Sequence, residues 1–146
     1  MRWIRGNKIL LIEYISISLY AYMKLLYRGG RAVTKASIEM GKAAGILKLL
    51  GNETRITILK ILEDHDCCVC EFVEMFEVSQ PSISQHLRKL KDLDLVGEDK
   101  RGQWIFYSIN KENEYYHFVS QLLHLLPQQN EKIKRLEEKG TRIQCY

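Results

Sequence analysis

Residues 66–85 read DCCVCEFVEMFEVSQPSISQ, and the fold turns on how this stretch divides. Val69, Phe72, Val73 and Phe76 recur at i, i+3, i+4 and i+7, which is one apolar face of a helix. Glu71, Glu74 and Glu77 mark the wet side. Val78-Ser79 reads as a turn, with Ser79 as the N-cap of a second helix. Pro81 is tolerated in the first turn of that helix, where its missing N–H had no partner to lose. Ile83, Leu87 and Leu90 then turn inward. Two short helices joined by a tight turn form a helix-turn-helix.

Upstream, residues 36–50 repeat apolar positions at helical spacing (Ala43, Ile46, Leu47, Leu50), and Gly51 supplies a stop. Asn52 caps the next helix, where Ile56, Ile58, Leu59, Ile61 and Leu62 leave almost no polar face. Such a helix belongs at the centre of a small domain. Downstream the period changes from 3.6 to 2. Residues 95–99 and 104–109 read as strands around a hairpin tip at 100–103. Residues 112–126 return to helix, with Tyr115, Phe118, Val119, Leu122 and Leu126 on one side, and Pro127 ends it. Helix, helix, helix-turn-helix, hairpin, helix is a winged helix-turn-helix, mainly α with a β-hairpin wing. It occupies residues 34–126 as a DNA-binding domain, followed over 127–146 by a charged tail carrying Ile133 and Leu136.

The 146 residues are 46% hydrophobic, enough for one domain with a real core. The formal charge of +4 is unevenly placed: residues 1–33 hold six basic residues against Glu13, leaving 16 basic and 17 acidic residues from 34 onward. Affinity for nucleic acid must therefore come from a local basic face. Within residues 9–26, ILLIEYISISLYAYMKLL, Glu13 and Lys24 confine the unbroken apolar or neutral run to 14–23, short of the ~20 residues that span a bilayer. Arg28-Gly29-Gly30 can be encoded by a purine-rich ribosome-binding run, with Val33 where a GTG start fits. Residues 1–32 accordingly read as translated upstream sequence; an interfacial or dimer-contacting helix and a membrane anchor are the alternatives. Three of the four cysteines fall within four positions, unlike a secreted disulfide scaffold, so reduced thiols in the cytoplasm are expected.

The second helix of a helix-turn-helix lies in the major groove with its N-terminal residues at the base edges. Its outward positions here are Gln80, Ser82, Ser84, Gln85, His86, Arg88 and Lys89. Gln pairs with adenine through two hydrogen bonds, Ser serves several bases, and Arg88 and Lys89 suit guanine or phosphate. Lys100, Arg101 and Gln103 at the wing tip can reach a neighbouring groove or phosphates. A solvated helix and loop in a protein-interaction domain is the blander reading. Duplex DNA is favoured because the capped turn, the inward stripe and the basic hairpin occur together. His86 alone fits an ordinary surface group equally well.

Clustered thiolates favour soft ions, although tetrahedral zinc would want four well-spaced ligands. On a regular helix Cys68 and Cys70 point in different directions, so joining both sulfurs to one ion requires the helix start to unwind or bend. Ion binding would then distort the helix that positions the reading helix. Cys67 is a third ligand or a bystander, and Cys145 could reach a site from its own or a partner subunit. A thiol redox switch and inert buried cysteines remain open. No phosphate-cradling loop follows the cysteines and no base pairs with a nucleophile, so oxyanion-reducing or thiol-transfer catalysis is not expected, nor any permanent cofactor.

Residues 50–55 (LGNETR), 68–72 (CVCEF), 79–87 (SQPSISQHL) and 102–107 (GQWIFY) together resemble the ArsR-type arsenical-resistance repressors, over roughly residues 36–126. The resemblance implies a homodimer on the operator of its own operon, released when arsenite or antimonite binds the helix thiols. It implies Cys68 and Cys70 as the ligand pair. Some members carry a further cysteine three residues after the pair; here that position is Val73, and Cys67 is the candidate third ligand by adjacency. Cadmium- and lead-responsive relatives add cysteines from an N-terminal arm, and none precedes Cys67. Zinc-sensing relatives use Asp and His pairs on the last helix, and His117 and His124 do not match that pattern. A redox-responsive or a cadmium- or lead-responsive repressor is the alternative within the same fold. The family also implies a dimer interface from the first helix and residues 112–126, hence a pseudo-palindromic operator.

Overall fold

The computed structural model describes residues 38–143. The expectations for residues 1–32 and for Cys145 lie outside the described residues. In chain order the elements are α1 (Met40–Leu50), α2 (Glu53–Leu62), β1 (Cys67–Cys68), α3 (Val69–Phe76), α4 (Gln80–Lys91), β2 (Val96–Arg101), β3 (Trp104–Ile109), α5 (Tyr116–His124) and α6 (Asn130–Glu138).

Asn52 caps α2 as its residue type dictates, its Oδ1 accepting from the Arg55 N–H at 3.1 Å. Ile58, Leu59, Ile61 and Leu62 are all buried, so α2 is the central helix. Phe72 of α3, Ile83, Leu87 and Leu90 of α4, and Val119 and Leu123 of α5 close around it. Each such side chain contributes about 1.5–3 kcal/mol on burial.

The helix-turn-helix is α3 and α4. Glu77, in the left-handed region at φ 53°, ends α3 and swings the chain toward Ser79. Ser79 stands at the N-cap of α4, where its carbonyl, rather than its side chain, accepts from Ser82 and Ile83. Pro81 sits in the first turn.

The wing is antiparallel, with Val96 opposite Ile109 and Arg101 opposite Trp104. Gly102, at φ 59°, begins the two-residue turn between the strands, a conformation that favours glycine. β2 starts and ends later than residues 95–99, because the tight turn lets Lys100 and Arg101 join the ladder.

Three other features depart from the sequence reading. The sheet gains a third strand, since Cys67 and Cys68 pair with Tyr107 and Phe106 of β3 in the order β1-β3-β2. The helix expected over 112–126 is shorter, because Asn113 organises a turn ahead of it: its Oδ1 accepts from the Tyr115 N–H at 2.7 Å and its Nδ2 donates to the Leu93 carbonyl at 3.0 Å. Within the segment read as a charged tail, α6 folds against α3 and buries Ile133 and Leu136. Lys139 donates to Glu74 of α3 at 2.6 Å, and Lys132 lies 5.3 Å from the Phe76 ring centre.

Candidate thiol site and nucleic-acid interface

The expectation that Cys68 and Cys70 diverge on one helix is overturned. Cys68 is the N-cap of α3, extended at φ −89° and ψ 168°, and only Cys70 lies within the helix. That change of backbone direction turns the Cys68 side chain back over the first turn. The two residues are joined as a disulfide, with Cα atoms 5.5 Å apart. The sulfurs therefore meet with α3 intact, and no unwinding is required.

The pair opens onto a cleft of about 420 Å³. Val69 and Val73 of α3 form one wall, Gln80 at the start of the reading helix a second, and Gln103, Trp104 and Ile105 of the wing a third. The sulfur pair thus shares one cleft with both parts of the molecule that carry the candidate base- and phosphate-contacting groups.

Cys67 has a different environment. Successive strand residues face opposite ways, and its side chain enters the core while Cys68 faces the cleft. Burial first, and then the negative charge of Glu71, push the Cys67 thiol up to about 12 despite the opposing effect of Arg142. A protonated thiol turned away from the pair is poorly placed as the third ligand. Among the described residues no cluster of three His, Cys, Asp or Glu side chains could hold a metal ion.

Glu71 organises this end of α3. One carboxylate oxygen accepts from the Cys68 N–H at 2.8 Å, completing a capping box. The other accepts from Arg142 at 2.7 Å and from the Ile143 N–H at 3.0 Å. Arg142 also reaches the Cys67 sulfur at 3.5 Å and the Asp66 carbonyl at 3.2 Å. Sequence reading put Glu71 on the wet side of α3, whereas it is buried, its carboxylate serving the Cys68 and Ile143 N–H groups and Arg142, and it missed Arg142 altogether. A Glu three residues after the N-cap was the available signal for the first; nothing local marks the second.

On α4, Gln80, Ser84, Gln85, Arg88 and Lys89 are exposed and free to meet DNA, while Ser82 and His86 are half-buried. His86 Nδ1 is buried without a hydrogen-bond partner among the described residues. Burial first, then the positive charges of Arg55 and Lys89, lower the His86 pKa, so the ring favours its neutral form. Lys100 and Gln103 stand exposed at the wing tip. Arg101 is already engaged: it pairs with Asp66 at 2.6 Å and Asp99 at 3.0 Å, and its guanidinium lies 4.9 Å from the Phe106 ring centre. It ties the wing to the segment leading into the thiols.

Comparison with known proteins bears on this arrangement. Residues 52–98 match the family model described as bacterial regulatory protein, arsR family. An HTH-type transcriptional regulator of Methanocaldococcus jannaschii is 45% identical over 69 residues, which is 47% of this chain and 78% of that protein. The chain belongs to the ArsR family. The arsenical resistance operon repressor of Staphylococcus xylosus is 35% identical over 81 residues, 56% of this chain and 76% of its own length. Among solved structures, reduced HlyU from Vibrio cholerae superposes with a TM-score of 0.53 at 35% identity, covering 60% of this chain and 92% of that one. ArsR-family membership makes this chain a winged helix-turn-helix DNA-binding regulator rather than an enzyme. The family match runs from the cap of α2 into β2, so the thiol pair and the reading helix both fall inside it. No helix among the described residues is long and apolar enough to cross a membrane.

Proposed function

We propose that this ArsR-family chain is a cytoplasmic, metalloid-responsive repressor that binds operator DNA as a dimer and leaves it when arsenite or antimonite binds Cys68 and Cys70. The carrying observation is that both sulfurs meet in a cleft walled by the reading helix and the wing. In the reduced state two thiols condense with arsenous acid, forming two As–S bonds and releasing two waters, with no net redox change. Soft thiolates at a helix start suit such an ion. An ion and its remaining oxygen ligand enter the space between Gln80 and Gln103, and spread the two DNA-contacting parts. The arsenical resistance repressor similarity supports this choice of inducer. Met40 and Leu47 on α1 and Leu125 after α5 are exposed apolar residues, which supports the two-fold interface expected from those segments.

The test is a gel-shift titration of the upstream DNA with arsenite, antimonite, cadmium and zinc. Coupling of about 1–3 kcal/mol corresponds to about 5- to 150-fold weaker operator binding. Cys68→Ser and Cys70→Ser should bind DNA and ignore arsenite. If both variants were released normally, this site is not the sensor.

A thiol redox switch is the second reading, favoured by the Cys68–Cys70 disulfide itself. Two thiols and one peroxide would give the disulfide and two waters. Release by peroxide without metalloid, reversed by dithiothreitol, would select it.

A further inference from the structure

The two flanks of α4 face different surroundings. On one, Lys91 pairs with Glu98 of the wing at 2.6 Å, and Gln80 shares the thiol cleft with Gln103. The opposite flank carries His86 and Lys89, continues to Leu93, and faces α1 and the start of α2. There a second cleft of about 580 Å³ opens, ringed by Lys42, Lys48, Arg55 and Lys89 over a floor that includes Ile46 and Leu49. No acidic residue lines it among the described residues. Lys42, Lys48 and Lys89 make no ion pair with any described residue. Arg55 uses Nε on the Leu49 carbonyl at 2.6 Å, which fixes the guanidinium and leaves its outer nitrogens available. Lys42 lies 5.8 Å from the Tyr115 ring centre and also feels the negative charge of Glu114, but four neighbouring cations in a cleft lined by no described acid suit an anion.

Its position decides which anion. A helix seated in the major groove, about 12 Å wide, has a phosphate strand along each edge. The wing serves one edge. The cleft lies along the other flank of the same helix and shares Lys89 with it. On α1 the exposed apolar Met40 and Leu47 fall on the flank opposite Lys42 and Leu49, so a second copy seated there leaves the cleft open.

We propose that Lys42, Lys48, Arg55 and Lys89 form a phosphate-binding wall that holds the sugar-phosphate backbone along the groove edge the wing does not reach. This rests on the docking of α4 in the proposed function and adds contacts from α1 and α2 to it. These contacts carry affinity and register rather than base choice.

The experiment measures duplex binding against salt for the full chain and for Lys42→Gln, Lys48→Gln and the double variant, with Lys134→Gln on α6 as control. Each lost phosphate contact lowers the slope of log K against log salt by about 0.9. The double variant should lose about 1.8 on operator and unrelated duplex alike, with the discrimination between them unchanged and the thermal melt unaltered. A slope equal to those of the wild type and Lys134→Gln overturns the proposal. If Ile46 and Leu49 methyl resonances then shift with sodium benzoate and not with duplex, the cleft is a small-anion pocket instead. Should the wild type show no salt-dependent duplex binding at all, the DNA-docking reading itself fails, and the wall with it.

Discussion

Arg142 and Glu71, 71 positions apart, form an ion pair of 2.7 Å around a carboxylate side chain that is 0% exposed. Through its other oxygen Glu71 caps the backbone of Cys68. A residue beyond α6 thereby helps to fix the backbone that aims a candidate sensing sulfur. Arg142→Ala should cost about 2 kcal/mol in urea unfolding. Breaking a buried pair costs about 3–5 kcal/mol, but Arg142 is partly solvated and Glu71 keeps two backbone N–H donors. Glu71→Gln should cost at least as much, because its one amide oxygen cannot serve the Cys68 N–H on one side and Arg142 with the Ile143 N–H on the other. A Glu71→Gln variant as stable as the wild type would show that the pair is not what matters.

His86 predicts a weakening of the fold in acid. Its folded pKa lies below the ordinary value of 6.5. The stability this contributes is present above that value and is lost as pH falls through the folded pKa. The urea midpoint of the wild type should drop between pH 7.5 and pH 5.5, and His86→Asn should flatten part of that drop. A variant with an unchanged acid limb would place the cause elsewhere.

Arg101 and Lys100 are adjacent on the wing but should behave differently toward DNA. Lys100 makes no ion pair among the described residues, whereas the Arg101 guanidinium is occupied by Asp66 and Asp99. Lys100→Gln should weaken duplex binding by a factor on the order of 3–10 and reduce the salt slope by about 1. Arg101→Gln should change the slope little. The reverse order would mean that Arg101 abandons its acidic partners on DNA.

Glu77 holds a left-handed conformation without being glycine. That conformation costs a side-chain-bearing residue roughly 1–2 kcal/mol, so Glu77→Gly should raise stability by up to about 1 kcal/mol after the entropy lost from a more flexible unfolded chain. Operator affinity should hold, because the turn keeps its path. A stability loss in urea unfolding would show that the Glu77 side chain makes a compensating contact.

The thiol Cys67 should resist iodoacetamide at pH 8 in the folded, reduced protein while the half-buried Cys70 reacts. The Cys67 side chain is buried and its thiol is held protonated. Peptide mapping by mass spectrometry reads the difference, and equal labelling of Cys67 and Cys70 would mean that the segment around Arg142 opens readily.

The parts legible in the sequence were those with local signals. Strand β3 shows its alternation in Trp104 to Ile109, and α2 shows its cap in Asn52. The turn before α4 shows in Ser79 and Pro81. What escaped was long-range. A two-residue strand has no period to detect, and the partner of Cys67 lies at Tyr107. Reading Cys68 as helical followed from starting the helix ahead of Val69, where its apolar stripe begins, and the error in sulfur geometry came with it. Ile133 and Leu136 were visible, but two apolar positions among charges do not reveal which face will cover them. The cationic cleft combines residues from α1, α2 and α4, so no single stretch of chain discloses it.

The pairing of Cys68 with Phe106 has a mechanical consequence. The thiol strand is one rung of the same sheet whose far end carries the wing tip, and it runs directly into the helix that sets the angle of α4. A displacement at that rung would bear on the wing and on α3 alike. Losing about tenfold in affinity at each of two independent contacts compounds to about a hundredfold, since free energies add where affinities multiply. One small ion could thereby produce a steep response from a fold with few moving parts.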